Sequence, residues 1–212
     1  MTARSVFGTA AAVCAAALLL VLGAAARPLL VADTPAAPVF TDAEIGFLQD
    51  MTAHHQQAVL MVARLSADAD PSVRSLAAQI GDTQRIEIGT MMGWLTVAEA
   101  LPTNPRPMAW MSQTPAHEHH GTPTQADTAV MPGMATITEL DELALAHGER
   151  ADQLFLTLMR RHHGGGATMA KAAAEQFPDG PITRFARSIF TDQTREAATM
   201  SLLLDRAASS PP

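Results

Sequence analysis

The sequence predicts an all-α protein, a four-helix bundle made of two repeated helical hairpins and preceded by an N-terminal apolar helix. Three observations predict this class. No stretch of the 212 residues alternates apolar and polar side chains as a half-buried strand would. Capping sequences and prolines divide the chain after residue 40 into four long helical stretches. These four stretches repeat in pairs, so one hairpin is a copy of the other.

The first 26 residues have the form of an export signal. Arg4 supplies a positive charge, an uncharged run of 21 residues follows from Val6 to Ala26, and Ala24-Ala25-Ala26 offers a cleavage site. The run is also long enough to span a bilayer, so both a cleaved signal peptide and an uncleaved membrane anchor stay open. In either case we expect the body to be exported, either secreted or anchored to the plasma membrane. Residues 27–40, rich in Pro and Ala, are predicted to form a tether.

The first hairpin is predicted over residues 41–100. Thr41-Asp42-Ala43-Glu44 is a capping box, and the helix that it starts should end near Ser66. Asp70-Pro71-Ser72 starts the second helix, because proline is favoured in the first helical turn. That helix should end near Ala100, since three prolines follow within the next seven residues.

The second hairpin is predicted over residues 138–208. Thr138 starts a helix that should reach Gln176, with a weak point at Gly164-Gly165-Gly166, where each glycine costs up to about 1 kcal/mol relative to alanine. The last helix should run from Ile182 to Ala208. The linker between the hairpins, residues 101–137, is rich in Met and His and has no helical period. We therefore expect the bundle to fold without residues 108–134.

The two hairpins share side chains at constant offsets. The first and third helices match at an offset of 108, which pairs Phe47, Met51, His54, His55 and Met61 with Phe155, Met159, His162, His163 and Met169. The second and fourth helices match at an offset of 109, which pairs Ile80, Gln84, Glu87, Thr90, Met91 and Leu95 with Ile189, Gln193, Glu196, Thr199, Met200 and Leu204. Neither hairpin can bury its apolar stripe alone, so the two are expected to pack into one bundle.

Composition excludes several classes of function. The one cysteine, Cys14, lies in the N-terminal apolar run, which excludes a disulfide scaffold, a Cys-based zinc site and a catalytic thiol in the body. The net charge is −7 and no basic run occurs, so we expect no nucleic-acid partner. A di-metal oxidase of the helical-bundle type needs Glu-x-x-His pairs, and the chain has none. We therefore expect the protein not to be an enzyme.

The histidine and methionine pattern predicts a metal site in the bundle. Imidazole nitrogen and thioether sulfur together suit Cu(I), and imidazole also serves Cu(II) and Zn(II). Met51 and Met159 each lie one helical turn from a His-His pair and on the same apolar face. The candidate ligands are Met51, His54, His55, Met61, Met159, His162, His163 and Met169, with Glu87 and Glu196 as acceptors that orient a ligand histidine. The alternative is that these methionines and histidines only fill the core.

The linker holds a second candidate metal site. Its histidines and methionines are His117, His119, His120, Met108, Met111, Met131 and Met134. An exposed methionine contributes little to stability, which favours a ligand role for the last two. The alternative is a solvated polar loop, because histidine-rich tracts bind Cu(II) and Zn(II) loosely without a physiological role.

The helical motifs resemble those of the family called domain of unknown function 305 (DUF305), whose members carry paired M-x-x-H-H-x-G-A-x-x-M-A motifs. This chain has MTAHHQQAVLMV at residues 51–62 and MRRHHGGGATMA at residues 159–170, and its M-P-G-M at residues 131–134 is also similar to the family's. It departs at Gln57, where the family has Gly, and at Gly166, where the family has Ala. The resemblance covers about residues 41–206.

The resemblance implies a ferritin-like helical bundle in an exported protein, and some family members are associated with copper binding and copper tolerance. We therefore expect an exported protein that binds or sequesters copper, with copper favoured over zinc and iron. Two other functions stay open. One is a non-catalytic structural bundle that contacts a protein partner in the cell envelope. The other is a di-metal oxidoreductase.

Overall fold

A computed structural model describes residues 3–30, 39–112 and 131–209 of the chain. It divides the chain into two units, Met1–Pro38 and Val39–Pro212. In the first unit, α1 runs from Ala3 to Leu30, past the predicted end of the apolar segment. Across the described residues, no helix is both long enough and apolar enough to cross a membrane.

The second unit is built from helices alone over its described residues, which confirms the all-α class. Two hairpins pack together: α2 contacts α3 and α5, and α5 contacts α6. A short helix, α4, contacts both α2 and α5. The helices are α2 (Asp42–Arg64), α3 (Pro71–Val97), α4 (Ile137–Leu145), α5 (Gly148–Gln176) and α6 (Pro181–Ser209).

The predicted helix starts in the first hairpin match the observed caps. The Thr41 hydroxyl accepts a hydrogen bond from the Glu44 backbone N–H at 3.2 Å, and the Glu44 carboxylate accepts one from the Thr41 N–H at 2.8 Å. Asp70 caps α3 by accepting from the Ser72 N–H at 2.7 Å, with Pro71 at the first helical position. These bonds satisfy backbone donors that a helix start otherwise leaves unpaired.

The prediction of one continuous third helix is wrong. The N-cap is Thr136 rather than Thr138, and the helix breaks between α4 and α5. Ala146 and His147 are extended there, and Gly148 has a φ of +54°, a conformation that favours glycine. The α2–α3 turn stabilises the break, because the Asp68 carboxylate accepts a hydrogen bond from the Gly148 N–H at 3.3 Å.

The prediction that the helix reaches Gln176 is confirmed, because α5 continues through all three glycines of the predicted weak point. A Cβ atom on Gly165 would lie 1.9 Å from the Pro132 carbonyl oxygen, and one on Gly166 would lie 2.1 Å from the Gln193 Oε1. Two of the three glycines therefore allow neighbouring segments to approach the helix closely. Their low helix propensity is offset by packing that a larger residue would prevent.

The expectation that the linker lies outside the core is contradicted at both of its described ends, by Met108 and Trp110 at one end and by Ala135 at the other. Trp110 is 2% exposed, and Met108 is also buried. The Asp50 Oδ2 accepts hydrogen bonds from the Met108 N–H at 2.7 Å, the Trp110 Nε1 at 2.9 Å and the Asn104 Nδ2 at 3.1 Å. No helical period marks this end of the linker, because its residues form turns and a short 3-10 helix (Ala109–Ser112) that pack through a buried carboxylate rather than a helical stripe. Deleting residues 108–134 would leave Asp50 without two of these donors and uncover the Phe47 ring, which packs edge-on against Trp110.

The core forms two clusters that the repeat relates to each other. One contains Met51 and Met169, and the other contains their repeat equivalents Met159 and Met61. Each cluster thus contains one methionine from α2 and one from α5. If the α2 methionine precedes its His-His pair, the α5 methionine follows its own pair, and the reverse holds in the other cluster. This exchange requires α2 and α5 to run in opposite directions, with the histidines between the two clusters. Side chains from α2, α3, α5 and α6 share these clusters, so the hairpins have a common core.

Candidate functional site

Four histidines meet in the interior where α2 and α5 contact each other. His54, His55, His162 and His163 are all fully buried. The His54 and His162 rings stack with their centroids 3.8 Å apart and their planes inclined by 33°. These two residues occupy equivalent positions in the two repeats. The structure therefore brings together the two His-His pairs that the sequence placed on separate apolar faces.

His55 and His163 are each paired with a carboxylate of their own hairpin. The His55 Nε2 lies 2.8 Å from the Glu87 Oε2, and the His163 Nε2 lies 2.7 Å from the Glu196 Oε2. Burial, with a smaller contribution from the neighbouring His163, lowers the pKa of His55 to about 3. Burial also raises the pKa of Glu87 to about 7, reinforced by the nearby acidic side chains. Both shifts favour an uncharged His55–Glu87 pair near neutral pH.

The other two histidines are hydrogen-bonded to backbone carbonyl groups. The His54 Nε2 lies 2.9 Å from the Pro132 carbonyl oxygen, and the His162 Nε2 lies 3.0 Å from the carbonyl oxygen of His54. A carbonyl oxygen can only accept, so each Nε2 must carry the proton. Burial lowers the pKa of His54 to about 3 and the pKa of His162 well below its usual value. Both imidazoles are thus neutral, with a lone pair on Nδ1.

The Nδ1 atoms of all four histidines are buried and have no hydrogen-bond partner within the described part of the chain. Buried nitrogens without a partner are rare in folded proteins, since each costs free energy. A neutral imidazole with a free lone pair is the form that binds metal ions. However, no three His, Asp or Glu side chains among residues 3–30, 39–112 and 131–209 are placed to hold one ion together. Methionine sulfur is the other type of side-chain ligand that the sequence predicts here.

The four predicted thioether ligands of the helices are all fully buried. Met51 precedes His54 by one turn of α2, and Met159 precedes His162 by one turn of α5. Because Met51 and Met159 belong to different core clusters, thioether sulfur is present on both sides of the histidines. The same burial is also what core packing requires, so the position of these side chains fits both hypotheses.

Two buried glutamines that were not among the predicted site residues belong to the same polar region. Gln84 and Gln193 are each 1% exposed and lie one turn before Glu87 and Glu196. The Gln84 Oε1 and both amide atoms of Gln193 have no hydrogen-bond partner in the described residues. Their recurrence at the offset of 109 was the signal that could have identified them.

The structure describes the four methionines of the predicted linker site but not its histidines. His117, His119 and His120 lie outside the described residues. Met108 is buried against the first core cluster, and Met111, Met131 and Met134 are partly buried. The expected exposure of Met131 and Met134 is thus contradicted. The turn that contains them instead reaches the histidine cluster, because the Pro132 carbonyl accepts the hydrogen bond from His54.

The fold and this site define a class of protein, a duplicated helical bundle with two buried His-His motifs at its centre. The family model described as "Domain of unknown function (DUF305)" matches residues 44–204, and the chain belongs to this family. No curated protein matches the chain.

Solved structures of other proteins share the fold. A DUF305 protein from Streptomyces coelicolor, named as a candidate secreted protein, is 34% identical with a TM-score of 0.68, and the match covers 80% of this chain and 95% of that one. A DUF305 fragment from Deinococcus radiodurans is 31% identical with a TM-score of 0.62, covering 78% and 97%. CopM in its Cu(II)-bound form is 24% identical with a TM-score of 0.55, covering 77% and 96%. At this identity, the likeness to CopM shows the fold alone.

Proposed function

We propose that this protein is exported and binds copper through its buried histidines and methionines, and that it sequesters copper as part of copper homeostasis or tolerance. One observation carries the proposal. Carbonyl oxygens hold the protons of His54 and His162 on Nε2, and the buried Nδ1 lone pairs are left without a partner. The signal-like N-terminus supports export, as does the similarity to a protein named for secretion.

The available ligand types favour copper over zinc and iron. Thioether sulfur is a soft ligand that suits Cu(I), and imidazole accompanies it in copper sites. The bundle contains no cysteine, and methionine sulfur forms no disulfide in an oxidising exterior. Glu87 and Glu196 are engaged with histidines, where they would orient His55 and His163 toward a metal. The neighbour CopM is described in a Cu(II)-bound form, but the proposal for this chain depends on its own side chains.

A structural bundle that binds no metal is the second candidate. It is favoured by the lack of any three His, Asp or Glu side chains around a common point in the described residues. In this case the His55–Glu87 and His163–Glu196 pairs would serve the core alone. We propose a catalytic role for neither candidate, because the sequence contains no Glu-x-x-His pair.

The two candidates are separated by anaerobic Cu(I) titration of the purified metal-free protein against a competing chelator. The test variant combines Met51→Leu and Met159→Leu, which remove two thioethers and nearly conserve side-chain volume. The matched control combines Met91→Leu and Met200→Leu, which are repeat-related methionines, also fully buried, from the same two core clusters.

We expect the wild-type protein to bind Cu(I) and the test variant to bind it at least about tenfold more weakly, a loss of about 1.4 kcal/mol. The control should bind Cu(I) as the wild type does, and both variants should keep the helical circular dichroism spectrum. A wild-type protein that takes up no copper would favour the structural bundle. Equal affinities for both variants would remove Met51 and Met159 from the site.

A further inference from the structure

The turn formed by Met131, Pro132, Gly133 and Met134 rests directly on the backbone of α5. A Cβ atom at Gly165 would lie 1.9 Å from the Pro132 oxygen and 2.8 Å from the Gly133 nitrogen. In the reverse direction, a Cβ atom at Gly133 would lie 2.4 Å from the Arg161 oxygen, and Gly133 has a φ of +77°. The contact therefore requires glycine on both sides.

Hydrogen bonds from α2 and α5 hold the same turn in place. The Gln57 side chain donates to the Ala135 oxygen at 2.9 Å and accepts from the Ala135 N–H at 2.6 Å. The Arg161 guanidinium donates two hydrogen bonds of 2.7 Å to the Glu139 carboxylate at the start of α4. The two hydrogen bonds of the Gln57 side chain thus hold the turn on α2, and close backbone contact holds it on α5.

The position of the turn decides which nitrogen of His54 is protonated. A neutral imidazole has one N–H, and either ring nitrogen can carry it. With the Pro132 oxygen 2.9 Å from Nε2, the proton must be on Nε2, and Nδ1 keeps the lone pair. If the oxygen moved away, the buried ring would lose the one hydrogen bond that, among the described residues, distinguishes its two tautomers.

We propose that this turn, seated on Gly165 and held by Gln57, is the element that sets the tautomer of His54 and so makes Nδ1 its metal-binding atom. Gly165 and Gln57 are then positioning residues that act on the metal through Pro132 and His54. The identity of the metal in this inference rests on the proposed copper function. The tautomer itself is a property of the metal-free protein and is measured without copper.

The test uses the metal-free full chain labelled with ¹⁵N-histidine. The ¹⁵N shifts of the two ring nitrogens of His54 report which of them is protonated. Gly165→Ala displaces the turn, and Gly164→Ala is its control, since a Cβ there has nothing within 4 Å. Gln57→Ala removes both hydrogen bonds between the Gln57 side chain and the Ala135 backbone. It provides a milder variant if Gly165→Ala does not fold. Its control is Gln56→Ala, at an exposed position beside it.

We expect His54 to be protonated on Nε2 in the wild type and in both controls. Gly165→Ala and Gln57→Ala should increase the Nδ1–H form of His54 while His162, which donates to the His54 oxygen, stays protonated on Nε2. Cu(I) affinity should fall at least about tenfold in the same two variants.

Two results would overturn the inference: a wild-type His54 protonated on Nδ1, or folded Gly165→Ala and Gln57→Ala variants that keep the wild-type tautomer. The expected tautomers in a wild-type protein that binds no copper would support the role of the turn and overturn the copper function instead.

Discussion

Acidification should destabilise the metal-free protein through His54 and His162, the two histidines that donate hydrogen bonds to backbone carbonyl oxygens. The folded state holds the pKa of His54 at about 3 and that of His162 well below its usual value, whereas unfolded histidine has a pKa of 6.5. Below pH 6.5 the unfolded chain therefore binds protons that the folded chain cannot. Because the unfolded state binds more protons, the free energy of unfolding must fall as the pH falls.

The size of this effect follows from the pH interval. Between pH 6.5 and pH 5, His54, with its folded pKa of about 3, costs about 2 kcal/mol, since one pH unit corresponds to about 1.4 kcal/mol. This is a sizeable share of a typical stability of about 5–15 kcal/mol, and the lowered pKa of His162 adds a cost of the same sign. The His55–Glu87 pair changes the free energy of unfolding little in this interval. Folded His55 binds no proton there, but folded Glu87, with its pKa of about 7, binds one that the unfolded glutamate does not.

Urea unfolding followed by circular dichroism at several pH values between 7 and 5 measures this loss. His54→Gln removes one imidazole but keeps an amide that can donate to the Pro132 oxygen, so it should remove about 2 kcal/mol of the loss between pH 7 and pH 5. Gln57→Ala perturbs the same turn without removing a titratable group, and it should lower stability equally at every pH. An unfolding free energy that does not change between pH 7 and pH 5, or an unchanged slope in His54→Gln, would refute the reasoning.

Three further predictions concern the framework around the site. Asp50→Ala should lower the free energy of unfolding by about 3 kcal/mol in urea titrations, because it leaves buried N–H donors without an acceptor. Its control, Asp141→Ala, removes the exposed ion-pair partner of Arg64 and should change this free energy by less than about 0.5 kcal/mol. Thr41→Ala and Thr136→Ala should each cost about 1 kcal/mol, and equal Tm values for variant and wild type would argue against the capping boxes. Gly148→Ala should cost about 1 kcal/mol by calorimetry through backbone strain alone, since φ is +54° and a Cβ has nothing within 4 Å.

Several features of the site were predictable because they depend on residues close together in the chain. The period of α2 and α5 placed His54, His55, His162 and His163 on buried faces, and burial confirms that placement. The offset of 109 singled out Glu87 and its repeat copy as inward-facing carboxylates, and both contact a histidine. The metal-binding role of all these residues stays a prediction.

Other features were not predictable because they join distant parts of the chain. The hydrogen bond from His54 to the Pro132 oxygen joins residues 78 positions apart in the sequence, and the one from His162 to the His54 oxygen joins residues 108 positions apart. Nothing local to Gly165 indicates that a carbonyl oxygen will rest on it, so the glycines read as a weak point of the helix. Asp50 gave no signal either, because its partners lie in a loop that has no periodic pattern.

The sequence by itself determined the helices of the bundle, most of their ends, the duplication and the histidine faces, because capping, proline sterics and hydrophobic periodicity act over a few residues. Only the tertiary structure decided which histidine nitrogens are protonated, which carboxylate pairs with which ring, and where the described ends of the linker pack. Those outcomes depend on single hydrogen bonds between segments that meet only after folding. A hydrogen bond needs its donor and acceptor placed within a few tenths of an ångström, and no local pattern specifies such a position.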